Sequence, residues 1–301
     1  MPDLTPSGLR RILMLRQFPV LCDAELGELT MFAENVTEVV LPAGTAVASA
    51  GSRLAALHLV LSGEIATIGI PRTTWGPRQI FGALEVLADR DAAQTAVTTA
   101  TTATLQLLAP DVTEILEESF GVTLAALRGL AAARAALGRL RAPPCRLPDR
   151  TPVGSLGLVE RLIVLRQQPA FSGAPLEPLV ALAHASDEVV LPAGTLVTRS
   201  GAPGASSYVL LDGASSAIDA AGATRRLGPG DSFGHLEALG GLLHEETIEV
   251  VETTRALKVD AARVFDIIED HTDFGRAILA ALADGLLASP QLAPSLQYHL
   301  A

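Results

Sequence analysis

The sequence has few of the residues on which disulfides, metal sites and lysine chemistry depend. Among 301 residues there are two cysteines, one tryptophan and, beside 21 arginines, the single lysine Lys258. Cys22 and Cys145 share no metal-ligand spacing, so we expect two reduced thiols and no metal site. A single lysine also leaves little room for lysine-based catalysis.

Long apolar runs and catalytic motifs are missing as well. No apolar stretch reaches roughly 18 residues, and no hydrophobic segment follows the first charged residues. We therefore expect a cytoplasmic protein without a membrane-spanning segment. The motifs GxSxG, GxxxxGK and HExxH do not occur, which predicts that the chain is not an enzyme.

Clustered positive charge is also lacking. The formal net charge is −11, of which −2 falls in residues 1–150 and −9 in residues 151–301. Affinity for nucleic acid comes mostly from clustered lysine and arginine, so we expect no nucleic-acid partner. A DNA-binding regulator would also need a helix-turn-helix module of roughly 60 residues, for which the chain has no free segment.

What the sequence does contain is an internal repeat. The segment VVLPAGT occurs twice without change, at residues 39–45 and 189–195, and LVLSG at 59–63 returns as VLLDG at 209–213. After these segments the offset rises from 150 to 152, because FGALEVL begins at Phe81 and FGHLEAL begins at Phe233. The two extra residues fall near 70–75 in the first copy and 221–223 in the second, as expected for a hairpin tip.

Each copy predicts helices, then many short strands, then helices. Apolar spacing indicates helices over 9–16 and 24–32, and two-residue alternation indicates strands near 36–41, 46–48, 56–61, 64–70, 95–99 and 103–108. Asp111 with Glu114 is typical of a capping box, and the helical stretch that it opens is expected to run to about Leu140. Asp260 opens the corresponding stretch, through Leu287. The predicted fold class is α+β, mainly β: two tandem β-roll or jelly-roll barrels with flanking helices.

The repeat and a proline-rich segment predict the domain boundaries. We expect a first domain over 1–141, a linker over 142–154, a second domain over 155–288 and a tail over 289–301. The linker holds four prolines between Ala142 and Pro152, which remove backbone donors and prevent helix continuation. The tail is expected either to be disordered or to dock on a partner.

Four motifs in a fixed order make the chain resemble a tandem of cyclic nucleotide-binding domains, as found in catabolite-activator-type regulators and protein kinase A regulatory subunits. They are LxxxPx(L/F), LPAGT, an apolar pair before xG, and GPxxxFGxL, and each occurs twice. The resemblance covers about 10–140 and 160–288. It implies a barrel with a ligand site at the Phe-Gly turn and flanking helices that respond to the ligand.

The resemblance also implies what such a site needs. Free backbone N–H groups on the Phe-Gly turn hold the cyclic phosphate, a glutamate directly after the glycine binds the ribose, and an arginine about nine residues later pairs with the phosphate. A buried phosphate without a cation or full hydrogen bonding costs several kcal/mol. Residues in the two corresponding pockets are Phe81, Gly82, Ala83, Leu84, Ala92 and Ala93 in the first copy, and Phe233, Gly234, His235, Leu236, Glu245 and Glu246 in the second.

The two residues that matter most to this site are missing from both copies. Ala83 and His235 stand at the glutamate position. The arginine position falls at Ala92 or Ala93 in the first copy, and at His244, Glu245 or Glu246 in the second. The first pocket therefore lacks its anchor, and the second carries carboxylates that would repel a phosphate. We expect no cofactor, and in particular neither cyclic AMP nor cyclic GMP.

Several other residues near the turn have alternative interpretations. Arg90 is either a solvated loop charge or a substitute contact for an anion. Glu85 and Glu237 lie two positions beyond the glutamate position and are expected to be surface or capping carboxylates. His235 and His244 have no second pair of ligands at suitable spacing, so we predict no metal.

The sequence thus leaves three possible functions. The leading hypothesis is a non-catalytic regulatory or scaffolding protein that acts through a protein partner or as a homo-oligomer. Its contacts are expected through the helices near 111–140 and 260–288, where leucines lie among small residues. The alternatives are a sensor that binds a cyclic or other nucleotide non-canonically in the first domain, and a structural subunit of a larger bacterial assembly.

Overall fold

The computed structural model describes residues 6–22, 24–137, 145–147 and 154–289. Contacts divide the chain into two compact units, Met1–Leu137 with Leu282–Ala301, and Gly138–Ala281. This division differs from the predicted boundaries at the last helix, whose final residues group with the first unit. Most of the predicted linker and nearly all of the predicted tail lie outside the described residues.

The first unit begins with two helices and continues with eight strands and three further helices. The helices are α1 (Pro6–Leu15), α2 (Leu26–Asn35), α3 (Ala83–Ala88), α4 (Ala109–Glu118) and α5 (Phe120–Ala136). The strands are β1 (Thr37–Leu41), β2 (Ala46–Ala48), β3 (Ala56–Ser62), β4 (Ile65–Thr67), β5 (Thr74–Trp75), β6 (Ile80–Phe81), β7 (Ala96–Thr98) and β8 (Thr102–Leu108).

The eight strands form two antiparallel sheets, ordered β1-β8-β3-β6 and β2-β7-β4-β5. One apolar cluster takes side chains from both sheets, including Ala48, Val60, Ile65, Phe81 and Ala96, so it fills the interior of a roll. Trp75 and Phe81 meet edge to face inside this cluster, with ring centroids 4.9 Å apart. The alternation of apolar and polar residues places these side chains on the inner face of each strand.

The second unit repeats this order with fewer breaks. Its helices are α6 (Leu158–Arg166), α7 (Leu176–Ala185), α8 (His235–Gly240), α9 (Ala261–Asp270) and α10 (Thr272–Leu287), of which the residues from Leu282 onward group with the first unit. Its strands are β9 (Asp187–Leu191), β10 (Leu196–Thr198), β11 (Ser206–Ile218), β12 (Thr224–Leu227), β13 (Ser232–Phe233) and β14 (Thr247–Asp260). Here β11 and β14 are each continuous, whereas the first unit has two shorter strands in each place. The predicted fold class, two β-rolls with flanking helices, is confirmed.

Three details of the predicted helices are wrong, and one of them is the stretch from Asp260 to Leu287, which is divided at His271 into α9 and α10. Asp111 does not cap α4, because the helix begins earlier, with Leu108 as N-cap and Pro110 in its first turn, where proline is favoured. The stretch is also interrupted at Ser119, whose backbone is extended and whose side chain accepts a hydrogen bond from Val122 N. A serine cap inside an apolar pattern starts a new helix, so α5 is separate from α4. Residue 140 lies outside the described residues.

Asp260 is the N-cap of α9, as predicted, but its carboxylate makes no cap hydrogen bond. It accepts from Ser206 Oγ at 2.6 Å and pairs with Lys258 Nζ at 2.8 Å. These contacts lower the pKa of Asp260, and the lysine amine is the first of the causes. The only lysine of the chain therefore joins the end of β14 to the start of α9.

Candidate functional site

The two Phe-Gly turns have the same conformation. Gly82 has φ +86° and Gly234 has φ +81°, in the left-handed region that glycine adopts without strain. A Cβ on Gly234 would lie 2.5 Å from the carbonyl oxygen of Ser206, so no larger residue fits there. Each glycine precedes a helix of six residues, α3 or α8. Phe81 and Phe233 are buried in the two rolls.

The residues at the glutamate position, Ala83 and His235, face the flanking helices. Ala83 lines an apolar cavity with Leu87 and residues of α2, α4 and α5. His235 lines the corresponding space of the second unit, with Ala238 and Leu239. Of the next residues, Leu84 is buried and Leu236 is half-buried. The first residue of each short helix therefore contributes an apolar or aromatic surface toward the helices.

Backbone hydrogen bonds pair one candidate for the arginine position in the first unit with one candidate in the second. Ala92 donates to Ser52 O and accepts from Gly51 N, at 3.0 and 2.8 Å. His244 makes the equivalent pair, donating to Ala202 O and accepting from Gly201 N, both at 2.8 Å. Ala92 and His244 therefore occupy the same place in the two units and are both buried.

The neighbouring candidates have other surroundings. Ala93 and Glu245, which follow the equivalent residues, are exposed. Glu246 is half-buried, and its Oε2 lies 3.0 Å from Arg225 Nη2. Glu245 thus lies in solvent, and Glu246 pairs with Arg225. Neither of these two carboxylates is an unpaired charge inside the roll.

The interior of the first roll is apolar where a phosphate would need a cation. Ala92 is 5% exposed and belongs to the same cluster as Leu54, Val60, Ile65 and Phe81. The buried side chains of this cluster are aliphatic or aromatic. A phosphate in this position would lose its hydration without gaining a compensating charge.

The interior of the second roll has more polar groups. Ser215 replaces Ile65 at the equivalent position, is fully buried, and its hydroxyl has no hydrogen-bond partner among the described residues. His244 Nδ1 lies 4.0 Å from Glu237 Oε1. Arg225 lies on β12 and Glu246 directly precedes β14, and the buried residues Leu227 and Ile248 of these strands belong to the core cluster of this roll.

Arg225 was missed at the level of the sequence. It lies two residues before Leu227 on β12, so strand alternation places both on the inner face. The alternation of β12 is the signal that points to it. The extra residues of the second copy lie directly before this strand, which obscures the alignment with the first copy.

Arg90 lies close to a carboxylate of its own unit. Its Nε is 2.7 Å from Asp284 Oδ1, and the two side chains are 62% and 44% exposed. This pairing raises the pKa of Arg90, and the hydrogen bond to Asp284 is the largest cause. An anion that used Arg90 would compete with Asp284 and with water.

Burial shifts the pKa values of Glu85 and His58 in the first unit. Burial raises the pKa of the Glu85 carboxyl, against a smaller lowering effect of its own backbone N–H. Burial lowers the pKa of His58, which lies on β3 with its Nδ1 3.2 Å from Thr104 Oγ1. Glu85 is equivalent to Glu237, and both lie in the first turn of their short helices.

The described part of the chain contains no group of three or more potential metal ligands among its histidines, cysteines and acidic residues. Cys22 is exposed and Cys145 is half-buried, and both are free thiols. Within the same residues, none of the helices has the length and apolar character needed to cross a bilayer.

Known proteins resemble this chain in sequence and in structure. Residues 188–271 match the family model described as the cyclic nucleotide-binding domain. A search of curated proteins gave no match. Among solved structures, the regulatory domain of Toxoplasma gondii PKA with cAMP is 15% identical over 88% of this chain and 94% of that chain, with a TM-score of 0.36.

Two further structures come from trypanosomes. The regulatory subunit of a cAMP-independent protein kinase A from Trypanosoma brucei is 14% identical over 90% of this chain and 93% of that chain, with a TM-score of 0.36. The corresponding subunit from Trypanosoma cruzi, bound to guanosine, is 14% identical over 96% and 91%, also with a TM-score of 0.36. The family match covers β9 to α9 and confirms the resemblance that the repeated motifs predicted.

Proposed function

Because the second unit matches the cyclic nucleotide-binding domain family and the first unit repeats its elements, we propose that this chain is a non-catalytic regulatory protein that binds neither cyclic AMP nor cyclic GMP. In this proposal it acts through protein contacts. The observation that carries the proposal is the burial of Ala92, at the arginine position, inside an apolar cluster.

In the first unit the argument depends on desolvation. Ala48, Leu54 and Ala96 surround the same space as Ala92, and none of them offers a hydrogen bond from its side chain. The backbone N–H groups at the start of α3 are the remaining donors for a phosphate. Transfer of a charged phosphate into such a site, without a paired cation, costs several kcal/mol.

In the second unit the argument depends on charge. His244 takes the arginine position, and a carboxylate, Glu237, lies 4.0 Å from its ring. The nearest arginine on the inner face, Arg225, is paired with Glu246. A ligand phosphate would have to displace Glu246 from Arg225 and approach Glu237, so binding would cost the existing ion pair and add repulsion.

The surface for protein contacts is best supported at the N-terminal helices of the two units. Leu9, Leu13 and Leu26 are 49%, 60% and 52% exposed in the first unit. Their equivalents at offset 150, Val159, Ile163 and Leu176, are 67%, 43% and 65% exposed. Large apolar side chains repeated at exposed positions are typical of interaction surfaces.

By contrast, the helices near 111–140 and 260–288 bury their apolar side chains. Leu127 and Leu130 on α5, and Ile278 and Leu279 on α10, are at most 2% exposed. Their burial leaves these residues inaccessible to a partner. We therefore place the partner surface on α1, α2, α6 and α7, and expect a partner protein that presents apolar side chains to both copies of it.

Calorimetry tests the nucleotide part of the proposal. Cyclic AMP and cyclic GMP, each titrated to about 1 mM, are expected to give no heat above dilution, which corresponds to binding weaker than about −4 kcal/mol. Thermal denaturation in the presence of each nucleotide provides a second measurement, since a ligand that binds only the folded state raises the midpoint. Micromolar binding to either unit would contradict the proposal.

The surface part needs its own experiment. Leu13→Glu and Ile163→Glu add a charge to the exposed apolar face of each copy, and Gln17→Glu adds the same charge at an exposed polar position of the first copy. A partner isolated with the wild-type chain should be lost from the double variant and kept by Gln17→Glu. Light scattering of the purified chain distinguishes self-association at this face, and equal capture by all variants would place the contact elsewhere.

A further inference from the structure

The first unit contains an apolar cavity beneath the Phe-Gly turn, outside the roll. Its volume is about 120 Å³. One wall is α3, with Ala83 and Leu87, and the opposite wall is α5, with Val122 and Ala126. Strand β3 forms the floor, through Leu57 and Leu59.

The same space is nearly filled in the second unit, where the cavity is about 30 Å³. Four pairs of equivalent residues contribute to the difference, because in these pairs the second unit carries the larger side chain. They are Leu21 and Phe171, Ala83 and His235, Val122 and Phe274, and Ala126 and Ile278.

Contacts in the second unit show how the larger side chains occupy the space. Phe171 stacks on Phe274, with ring centroids 5.8 Å apart. Phe274 and Ile278 are fully buried. The rings of Phe171 and Phe274 therefore pack between the short 3₁₀ turn at residues 169–171 and α10. The first unit has no aromatic ring at either of the equivalent positions, Leu21 and Val122, and the hollow remains.

The cavity has no polar group that would hold water. Glu28 is the only charged residue among those that line it. Its Oε2 accepts from the backbone N–H of Glu25 at 2.8 Å, and its Oε1 accepts from Ser119 Oγ at 3.1 Å. A buried water needs two to four polar partners, and apolar cavities of comparable size stay dry and bind small hydrocarbons.

We propose that this cavity is a binding site for a small uncharged apolar molecule of about the size of a single ring. Such a ligand would contact α3, which follows the Phe-Gly turn, and α5 on the opposite wall. The ligand would therefore connect the Phe-Gly turn to the flanking helices through contacts with α3 and α5, and it would lie outside the roll. This inference does not depend on the loss of nucleotide binding.

Toluene is a suitable probe, and benzoate, which adds a carboxylate to the same ring, is its control. Toluene should raise the thermal midpoint of the wild-type chain in a saturable manner, because it binds the folded state only. Benzoate should give no shift, since the lining offers no cation. Absence of a toluene shift, or an equal shift with benzoate, would overturn the proposal.

Variants locate the site. Leu21→Phe introduces the residue of the second unit and should weaken toluene binding at least about tenfold, whereas the volume-conserving Leu21→Ile should bind like the wild type. Ala126→Ile fills the cavity independently from α5, which covers the case in which Leu21→Phe does not fold. Toluene binding that survives both filling variants would place the ligand elsewhere and overturn the assignment.

Discussion

Replacement of Ala92 by arginine would return the cation to the place where the resemblance requires it. Ala92 is 5% exposed and is surrounded by the apolar cluster of the first roll. The nearest carboxylate expected there is Glu85, because its equivalent Glu237 lies 4.0 Å from His244. The new guanidinium therefore has one possible partner and otherwise apolar neighbours.

The expected magnitude follows from the cost of burying charge. A buried charge without a partner costs about 3–5 kcal/mol, and a buried ion pair often fails to repay its desolvation. We expect Ala92→Arg to lower the free energy of unfolding by about 2–4 kcal/mol, which is a decrease of roughly 10 °C in the midpoint of the first unit. In a Glu85→Gln background the cost should rise by at least about 1 kcal/mol.

Denaturant unfolding with and without cyclic AMP measures both stability and ligand binding. Ala93→Arg is the matched control, because Ala93 is the next residue and is exposed, so its change should stay within about 0.5 kcal/mol. An Ala92→Arg protein as stable as the control, or one that gains micromolar affinity for cyclic AMP, would refute this reasoning. The first roll would then be an open pocket that lacks only its anchor.

Three further predictions concern the first unit. Burial lowers the pKa of His58, so the folded state binds the proton less well than the unfolded state. The stability that the neutral ring contributes is present above about pH 6.5 and is lost as the pH falls. His58→Tyr, which copies Tyr208 at the equivalent position, should reduce the loss of stability that urea unfolding measures between pH 7.5 and 5. Burial raises the pKa of Glu85, so ionisation of this carboxyl destabilises the fold as the pH rises. Glu85→Gln should therefore raise the unfolding midpoint at pH 7.5 and give no such increase near pH 4. An unchanged unfolding midpoint at pH 7.5 would show that the carboxylate is solvated. Ser119→Ala should cost about 1 kcal/mol by removing the cap of α5, while Ser119→Thr should retain most of the stability in the same unfolding assay.

Much of the fold could be predicted from local patterns. Strand alternation and the repeated VVLPAGT segments locate most of the strands, and the glycines of the two Phe-Gly turns have the left-handed conformation that the turn requires. The break at Ser119 could not be predicted with the same ease, because the apolar periodicity continues across it. Only the extended backbone of Ser119 and its contact with Glu28, 91 residues away, show that one predicted stretch is two helices.

The arginine position could be narrowed to two or three residues but not resolved. Asp89, at the end of α3, is in the left-handed region with φ 52°, and Asp91 forms an isolated bridge with Arg53. Neither a helical nor a strand period applies across such a segment, so counting along the chain cannot decide between Ala92 and Ala93. Backbone partners about 40 residues earlier, Gly51 and Ser52, show that Ala92 corresponds to His244 of the second unit.

The cavity beneath the turn could not be predicted from the sequence, because it depends on four pairs of side chains on three different elements. The two units differ in the polarity of the roll interior and in the size of the space beneath the short helix. The first roll is apolar inside, with Ile65 and Ala92, and has a hollow beneath α3. The second roll carries Ser215 and the Arg225–Glu246 pair, and the space beneath α8 is nearly filled. Among the described residues, the polar groups named here therefore lie in the second roll, and the larger apolar space lies beneath the first turn.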